Sequence, residues 1–278
     1  MSYKTIVVHL DAVARRTERL ELACGLAAAF DAHLIGLFAL SDLLVPSYGL
    51  ADGAAIVLQS QERWRSEAAS DAQREFETRV ARHGVVKAEW RRSARDTVDA
   101  VRLSARYADL VVIGQRERSG GEERMPRYFA EETVLSSGRP VLIVPYAGRF
   151  SGVGSRILVA WNASGEAARA VTDALPLLQR AKVVEVVAFD PDRGGADHGA
   201  DPGADIALYL ARHGVKVSAA TQRADIDVGS QILSRAADSA ADLIVMGAYG
   251  HSRARELVLG GATRTILESM TVPVFMSH

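Results

Sequence analysis

The sequence predicts an α/β protein made of two tandem, doubly wound domains with parallel sheets. Three observations carry this: short runs rich in Val and Ile, helix-period segments between them, and an internal repeat that writes the pattern twice. Residues 6–10, 33–39, 110–114 and 141–144 are apolar without polar alternation, as are 157–161, 183–189, 243–247 and 274–276. Such runs suit strands covered on both faces, as inside a parallel sheet. Residues 86–90 and 216–220 read as a weaker further strand in each copy. Between the strands, Leu20, Cys24, Ala27 and Phe30 fall near helical spacing, and Trp64, Ala68, Ala72, Phe76 and Val80 recur about every four residues. Ala167, Ala170, Val171, Ala174, Leu175 and Leu178 mark another helix, which Pro176 is expected to kink or end.

The repeat consists of blocks in one order. Ile6-Val7-Val8-His9-Leu10-Asp11 echoes Ile157-Leu158-Val159-Ala160-Trp161-Asn162. Ala81-Arg82-His83-Gly84-Val85 returns as Ala211-Arg212-His213-Gly214-Val215, and residues 108–114 (ADLVVIG) return as 241–247 (ADLIVMG). Pro140-Val141 returns as Pro273-Val274. The offset shrinks after the first block, which places extra length of the first copy in residues 41–58 and the helix after them. Gly- and Ser-rich residues 146–155 read as a linker. Domains are therefore expected at 1–147 and 154–278.

Composition narrows the function classes. Among 278 residues, 33 Lys and Arg face 34 Asp and Glu, a formal net charge of −1. That excludes a strongly basic nucleic-acid footprint and gives no reason to expect a membrane surface. No uninterrupted apolar run approaches transmembrane length. The opening residues lack the sections of a signal peptide, so a cytoplasmic protein is expected. One cysteine forms neither an internal disulfide nor a cysteine-rich zinc site. Cys24 lies on an apolar stripe and reads as buried and inert.

Ligands of such sheets bind beyond the carboxyl ends of the strands, where strand order reverses. The outstanding loop follows residues 243–247: Gly247-Ala248-Tyr249-Gly250, then His251, Arg253 and Arg255, then Gly260-Gly261-Ala262-Thr263. Glycine admits close backbone approach, free amides and the next helix N-terminus point at anions, and the basic residues add positive charge. No Walker A sequence and no early G-x-G-x-x-G is present, so neither a P-loop NTPase nor an NAD enzyme is indicated.

Gly247-x2-Gly250-x9-Gly260 after an Ala-Asp-Leu-Ile-Val-Met strand resembles the universal stress protein family. The ending Val272-Pro273-Val274 and the opening Ile157-Leu158-Val159-Ala160, followed by a polar residue and Ser164, resemble it as well. Both halves share the likeness, so the chain is identified as a tandem member. The resemblance implies a Rossmann-like, five-stranded parallel sheet with helices on both faces in each half. It implies that some members bind ATP through G-x2-G-x9-G-[S/T], with backbone amides and the hydroxyl on the phosphates and an Asp after the first strand on the nucleoside. Other members lack the motif and do not bind ATP. Members pair through their last strands, and tandem members can pair their own two domains in that way.

Carried over residue by residue, the cofactor-binding set is Asn162, Gly247, Gly250, Gly260, Gly261 and Thr263, for ATP or a related adenine nucleotide with Mg. Gly261 stands where the motif has Ser or Thr, and Thr263 is a candidate substitute. Asn162 stands at the Asp position and suits either a ribose contact or a helix cap. The first copy keeps Asp11 and Gly114, but Glu117 and Arg127 occupy the other glycine positions and Glu122 and Glu123 crowd acidic charge there, so its site is expected not to hold ATP. Asp11 reads as a cap or turn residue. His83 and His213 precede glycine at helix ends and read as C-terminal caps, His198 as part of a mobile acidic loop, and Ser164 has no triad partners. No general base or metal–carboxylate cluster is visible near the loop. The expected function is therefore stress-related nucleotide binding, regulatory or protective, rather than fast catalysis. The alternatives are a nucleotide-independent interaction or scaffold protein of the same fold and a slow ATPase. Pairing of the two domains within one chain and a homodimer of tandem chains are both compatible with the sequence.

Overall fold

The structure, a computed structural model, describes residues 2–13, 15–41, 54–116, 126–150, 152–189, 203–223, 226–250 and 261–278. The first half runs β1 (Thr5–Leu10), α1 (Arg16–Phe30), β2 (His33–Phe38), α2 (Ala54–Arg82), β3 (Ala88–Arg92), α3 (Thr97–Ala105), β4 (Leu110–Gly114), α4 (Phe129–Ser136) and β5 (Val141–Val144). The second half runs β6 (Arg156–Trp161), α5 (Gly165–Leu178), β7 (Val183–Phe189), α6 (Ala204–Arg212), β8 (Val217–Gln222), α7 (Val228–Asp238), β9 (Leu243–Gly247), α8 (Gly261–Ser269) and β10 (Val274–Ser277). The extra length of the first half lies in α2, which has 29 residues against nine in α6.

All ten strands form one sheet in the order β3-β2-β1-β4-β5-β10-β9-β6-β7-β8. Within each half every pairing is parallel. The halves meet where β10 lies antiparallel to β5, with Val274 opposite Ile143 and Met276 opposite Val141. The two domains thus pair through their last strands inside one chain. Side chains alternate across each strand. Ile6 and Val8 join α1, α5 and α6 in one buried layer, whereas Val7 joins α3, α4, α7 and α8 in the other. Both layers continue across the seam. The Gln115 amide donates to the Leu267 carbonyl at 2.8 Å, and the Tyr3 hydroxyl donates to the Asp173 carbonyl at 2.8 Å.

The repeated blocks have structural explanations. In the His-Gly-Val blocks, Gly84 and Gly214 take left-handed φ of 65° and 77°. The following amides of Val85 and Val215 return to the Val80 and Leu210 carbonyls, which closes a Schellman motif. His213 is the C-cap of α6 as expected, and His83 holds the same position after the last residue of α2, its amide returning to the Arg79 carbonyl, while its ring also bonds the Glu21 carboxylate on α1. In the Ala-Asp-Leu blocks, Asp109 accepts the amides of Lys4 and Thr5, and Asp242 accepts those of Gly154, Ser155 and Arg156. Each carboxylate ties down the entry to the first strand of its half.

Two local expectations shift. The edge strands β3 and β8 begin later than the apolar runs suggest, because an edge strand has one neighbour and little burial to mark it; Val86 is 94% exposed and precedes β3. Pro176 does not stop α5 at once: the helix continues to Leu178 and ends there. Cys24 is buried, and burial pushes its thiol up to about 12, as an inert core residue requires.

Candidate functional site

A cleft of about 240 Å³ opens at the carboxyl ends of β6 and β9, where the strand order of the second half reverses. Its inner wall is Ala160, Phe189, Val228, Ile232 and Met246, and Trp161 and Tyr249 stand beside it. Its lip is Asn162, Gly247, Gly250, Gly261, Ala262 and Thr263. The structure therefore brings five of the six sequence-predicted site residues to one place. Gly260 lies outside the described residues, as do His251, Arg253, Arg255 and His198.

Each lip residue has a local cause. Ser164 is the N-cap of α5: its hydroxyl accepts the Ala167 amide at 3.1 Å. Asn162 does not cap the helix. Its carbonyl oxygen accepts the Ser164 amide at 3.2 Å in an Asx turn, which leaves its amide group exposed at the cleft. Gly247 is required by packing, since a Cβ there would stand 2.5 Å from the Ala167 nitrogen and 2.7 Å from the Glu166 carbonyl carbon. Tyr249 holds a left-handed φ of 58°, and its amide donates to the Thr263 hydroxyl at 3.5 Å. The Tyr249 phenol is buried without a hydrogen-bond partner among the described residues, and burial followed by the Glu131 charge raises its pKa. Gly261, by contrast, has room: the nearest atom to an added Cβ is an Asp227 oxygen at 3.7 Å.

Two single carboxylates stand near the loop. A Glu166 oxygen lies 3.1 Å from where a Gly250 Cβ would be, and Asp227 reaches toward Gly261. Both are placed by helix starts, since Glu166 is in the first turn of α5 and Asp227 caps α7. Neither carried a motif that sequence reading could catch. Among the described residues no group of three or more His, Cys, Asp or Glu side chains is set to hold a metal.

The first half differs at the matching positions. Where the second half has Ala160, Ala170 and Ala262, the first has His9, Arg19 and Phe129. His9 packs on Phe129 with ring centroids 5.0 Å apart. Arg19 pairs with Asp11 at 3.0 Å, and both are buried. An Arg19 nitrogen lies 2.5 Å from where a Gly114 Cβ would stand. The protein's own cation thus occupies the space against the first-half counterpart of Gly247. Asp11 is a turn residue as expected, accepting the Val13 amide at 3.1 Å, and is also half of this buried pair. Glu117, Glu122 and Glu123 lie outside the described residues.

His9 gives a pH expectation. Its Nε2 donates to the Ala39 carbonyl at 3.0 Å, and Nδ1 has no partner among the described residues. Burial, then the Arg19 charge, lowers its pKa to about 4. The unfolded imidazole, near 6.5, binds its proton first as pH falls. Stability from this group is therefore complete above about pH 6.5 and lost toward pH 4, by about 3 kcal/mol in all. Urea unfolding at pH 7.5 and pH 4.5 checks this. The loss should shrink in His9→Leu, and an equal loss in both proteins refutes the assignment.

The sequence model of the universal stress protein family matches residues 2–145 and again residues 155–278. The chain belongs to the universal stress protein family. It is a tandem member, one family unit for each half of the sheet. Its fold is similar to that of a universal stress protein from Archaeoglobus fulgidus, with a TM-score of 0.74 at 19% identity over 98% of this chain and 95% of that one. A functionally unknown protein from Pseudomonas aeruginosa shares the fold at a TM-score of 0.60 and 14% identity, over 99% and 92% of the two chains. A 37-residue stretch is 51% identical to the universal stress protein Slr1230 of Synechocystis, and it spans 13% of this chain and 13% of that protein. No helix among the described residues is long and apolar enough to cross a membrane.

Proposed function

We propose that this universal stress protein holds one adenine nucleotide in the cleft of its second half and acts through that bound state, as a regulatory or protective protein under stress rather than as a fast catalyst. The observation that carries the reading is the convergence of Asn162, Gly247, Gly250, Gly261 and Thr263 on one cleft with an apolar inner wall. The wall and Trp161 suit a base, the exposed Asn162 amide suits a ribose hydroxyl, and the glycine-lined lip beside the starts of α5 and α8 suits a phosphate. The first half serves as the structural partner, with His9, Arg19 and Phe129 in place of three alanines.

Calorimetric titration of AMP and of ATP with Mg²⁺ into protein freed of co-purified nucleotide tests this. Trp161 is the one tryptophan of the second half, so its fluorescence reports the same event. One site per chain is expected. Gly261→Ser restores the hydroxyl of the family motif where space exists and should tighten phosphate-bearing ligands about tenfold, the worth of a hydrogen bond to a charged group. No binding by wild type, no nucleotide released on denaturation and no gain in Gly261→Ser would instead favour a nucleotide-independent interaction protein. Slow hydrolysis of bound ATP is a further outcome, read as phosphate release.

A further inference from the structure

We propose that two copies of this chain join edge to edge, with β3 lying antiparallel to β3 of the partner about a two-fold axis at Trp90. The ten-stranded sheet ends in β3 on one side and in β8 on the other. The Leu34 amide donates to the Lys87 carbonyl and the Ser93 amide to the Phe38 carbonyl, each at one end of the β2–β3 ladder. Backbone groups alternate in direction along a strand, so those of Ala88, Trp90 and Arg92 point away from β2. Among the described residues nothing hydrogen-bonds to them from beyond the edge. Such a row of unpaired groups is a template for another strand.

Charge chooses the occupant and the register. In an antiparallel pair centred on Trp90, the two copies of that residue exchange both backbone bonds, and Glu89 stands opposite the partner's Arg91 on each side of the axis. Moving the axis by one residue, to Glu89 or to Arg91, sets two carboxylates or two guanidiniums face to face, and like charges directly opposite destabilise. Within one chain Arg91 already binds Glu89 through two bonds, at 2.6 and 3.0 Å, with both side chains about two-fifths exposed. The pair is therefore neutral as two edges approach, and at the join it extends into a network of alternating sign. Val86, 94% exposed just before β3, falls in the same register opposite the partner's Ala94. At the other edge, Val217–Gln222 holds no charged residue, so no such rule fixes a register there. The chain itself closes one join of this kind, where β5 and β10 meet antiparallel.

Sedimentation velocity of the full chain, from low micromolar to submillimolar concentration at low salt, tests this. A concentration-dependent monomer–dimer equilibrium is expected, because one strand from each copy makes a small interface. Arg91→Glu turns both cross-strand contacts repulsive and should weaken the dimer at least about tenfold. The charge swap, Glu89→Arg with Arg91→Glu, rebuilds opposite signs in the same register and should bring association back to within about threefold of wild type. That recovery also shows that the altered strand is folded. A chain that stays monomeric at every concentration overturns the proposal. So does a dimer that Arg91→Glu leaves unchanged, because another surface then joins the copies. Weakening by Arg91→Glu that the swap does not restore overturns the register, and the proposal with it.

Discussion

Arg19→Met should destabilise the protein by about 3–5 kcal/mol, the cost of stranding a buried charge. Arg19 and Asp11 are both buried, and their pair at 3.0 Å is the compensation for taking two charges out of water. Burial alone pushes the Asp11 carboxyl upward; the Arg19 guanidinium, together with His9 and the Val13 amide, outweighs it and holds the carboxyl below its ordinary value. Methionine preserves much of the side-chain volume and removes the charge, so Asp11 must take up a proton or admit water. The loss should therefore be larger at pH 7.5 than at pH 4.5. The double variant Arg19→Met with Asp11→Asn should recover part of it, since Asn still accepts the Val13 amide and carries no charge. Urea denaturation of the four proteins of this cycle is the measurement. A cost below about 1 kcal/mol for Arg19→Met, or a double variant no better than the single one, would show that the pair does not hold the first half together.

Gly247→Ala should cost about 3 kcal/mol even with no ligand present, an unusually large penalty for one methyl group. The added Cβ would stand 2.5 Å from the Ala167 nitrogen and 2.9 Å from its Cα, atoms of helix backbone that cannot rotate aside. To relieve the contact α5 must slide away from β9, and that opens the layer in which Ala167, Ala170 and Val171 are buried. Loss of nucleotide binding in this variant would consequently say little about contacts to phosphate. Gly261→Ser, with free space around the new atom, is the informative change. Thermal unfolding settles the point: a Gly247→Ala protein as stable as wild type would mean that the helix and the strand are not in the close contact described.

The central strands were legible because burial on both faces leaves unbroken apolar runs. Residues 110–114, 141–144, 183–189 and 243–247 are read at the bounds the structure shows. Edge strands were less legible because half-burial removes that signature. The lip of the cleft was legible through glycine spacing, a backbone requirement that leaves a mark in sequence. Glu166 and Trp161 were not, since the role of each depends on which neighbour the fold sets opposite it. The bulkier side chains of the first half lie between these cases. His9 opposite Ala160 and Arg19 opposite Ala170 are visible once the copies are aligned, but only the structure shows that His9 packs on Phe129 and that Arg19 lies over Gly114.

The antiparallel seam between β5 and β10 has a consequence for stoichiometry. Separate chains joined by such a seam would come apart on dilution and could combine like with like. Here the covalent chain supplies the partner at a fixed effective concentration, so the join survives at any dilution that leaves the fold intact. Every molecule then carries one alanine-lined cleft, in its second half, joined to a first half with His9 and Phe129 at the matching positions. If that cleft holds a nucleotide as proposed, the ligand capacity per mass of protein is a constant of the chain, set neither by expression level nor by an assembly equilibrium.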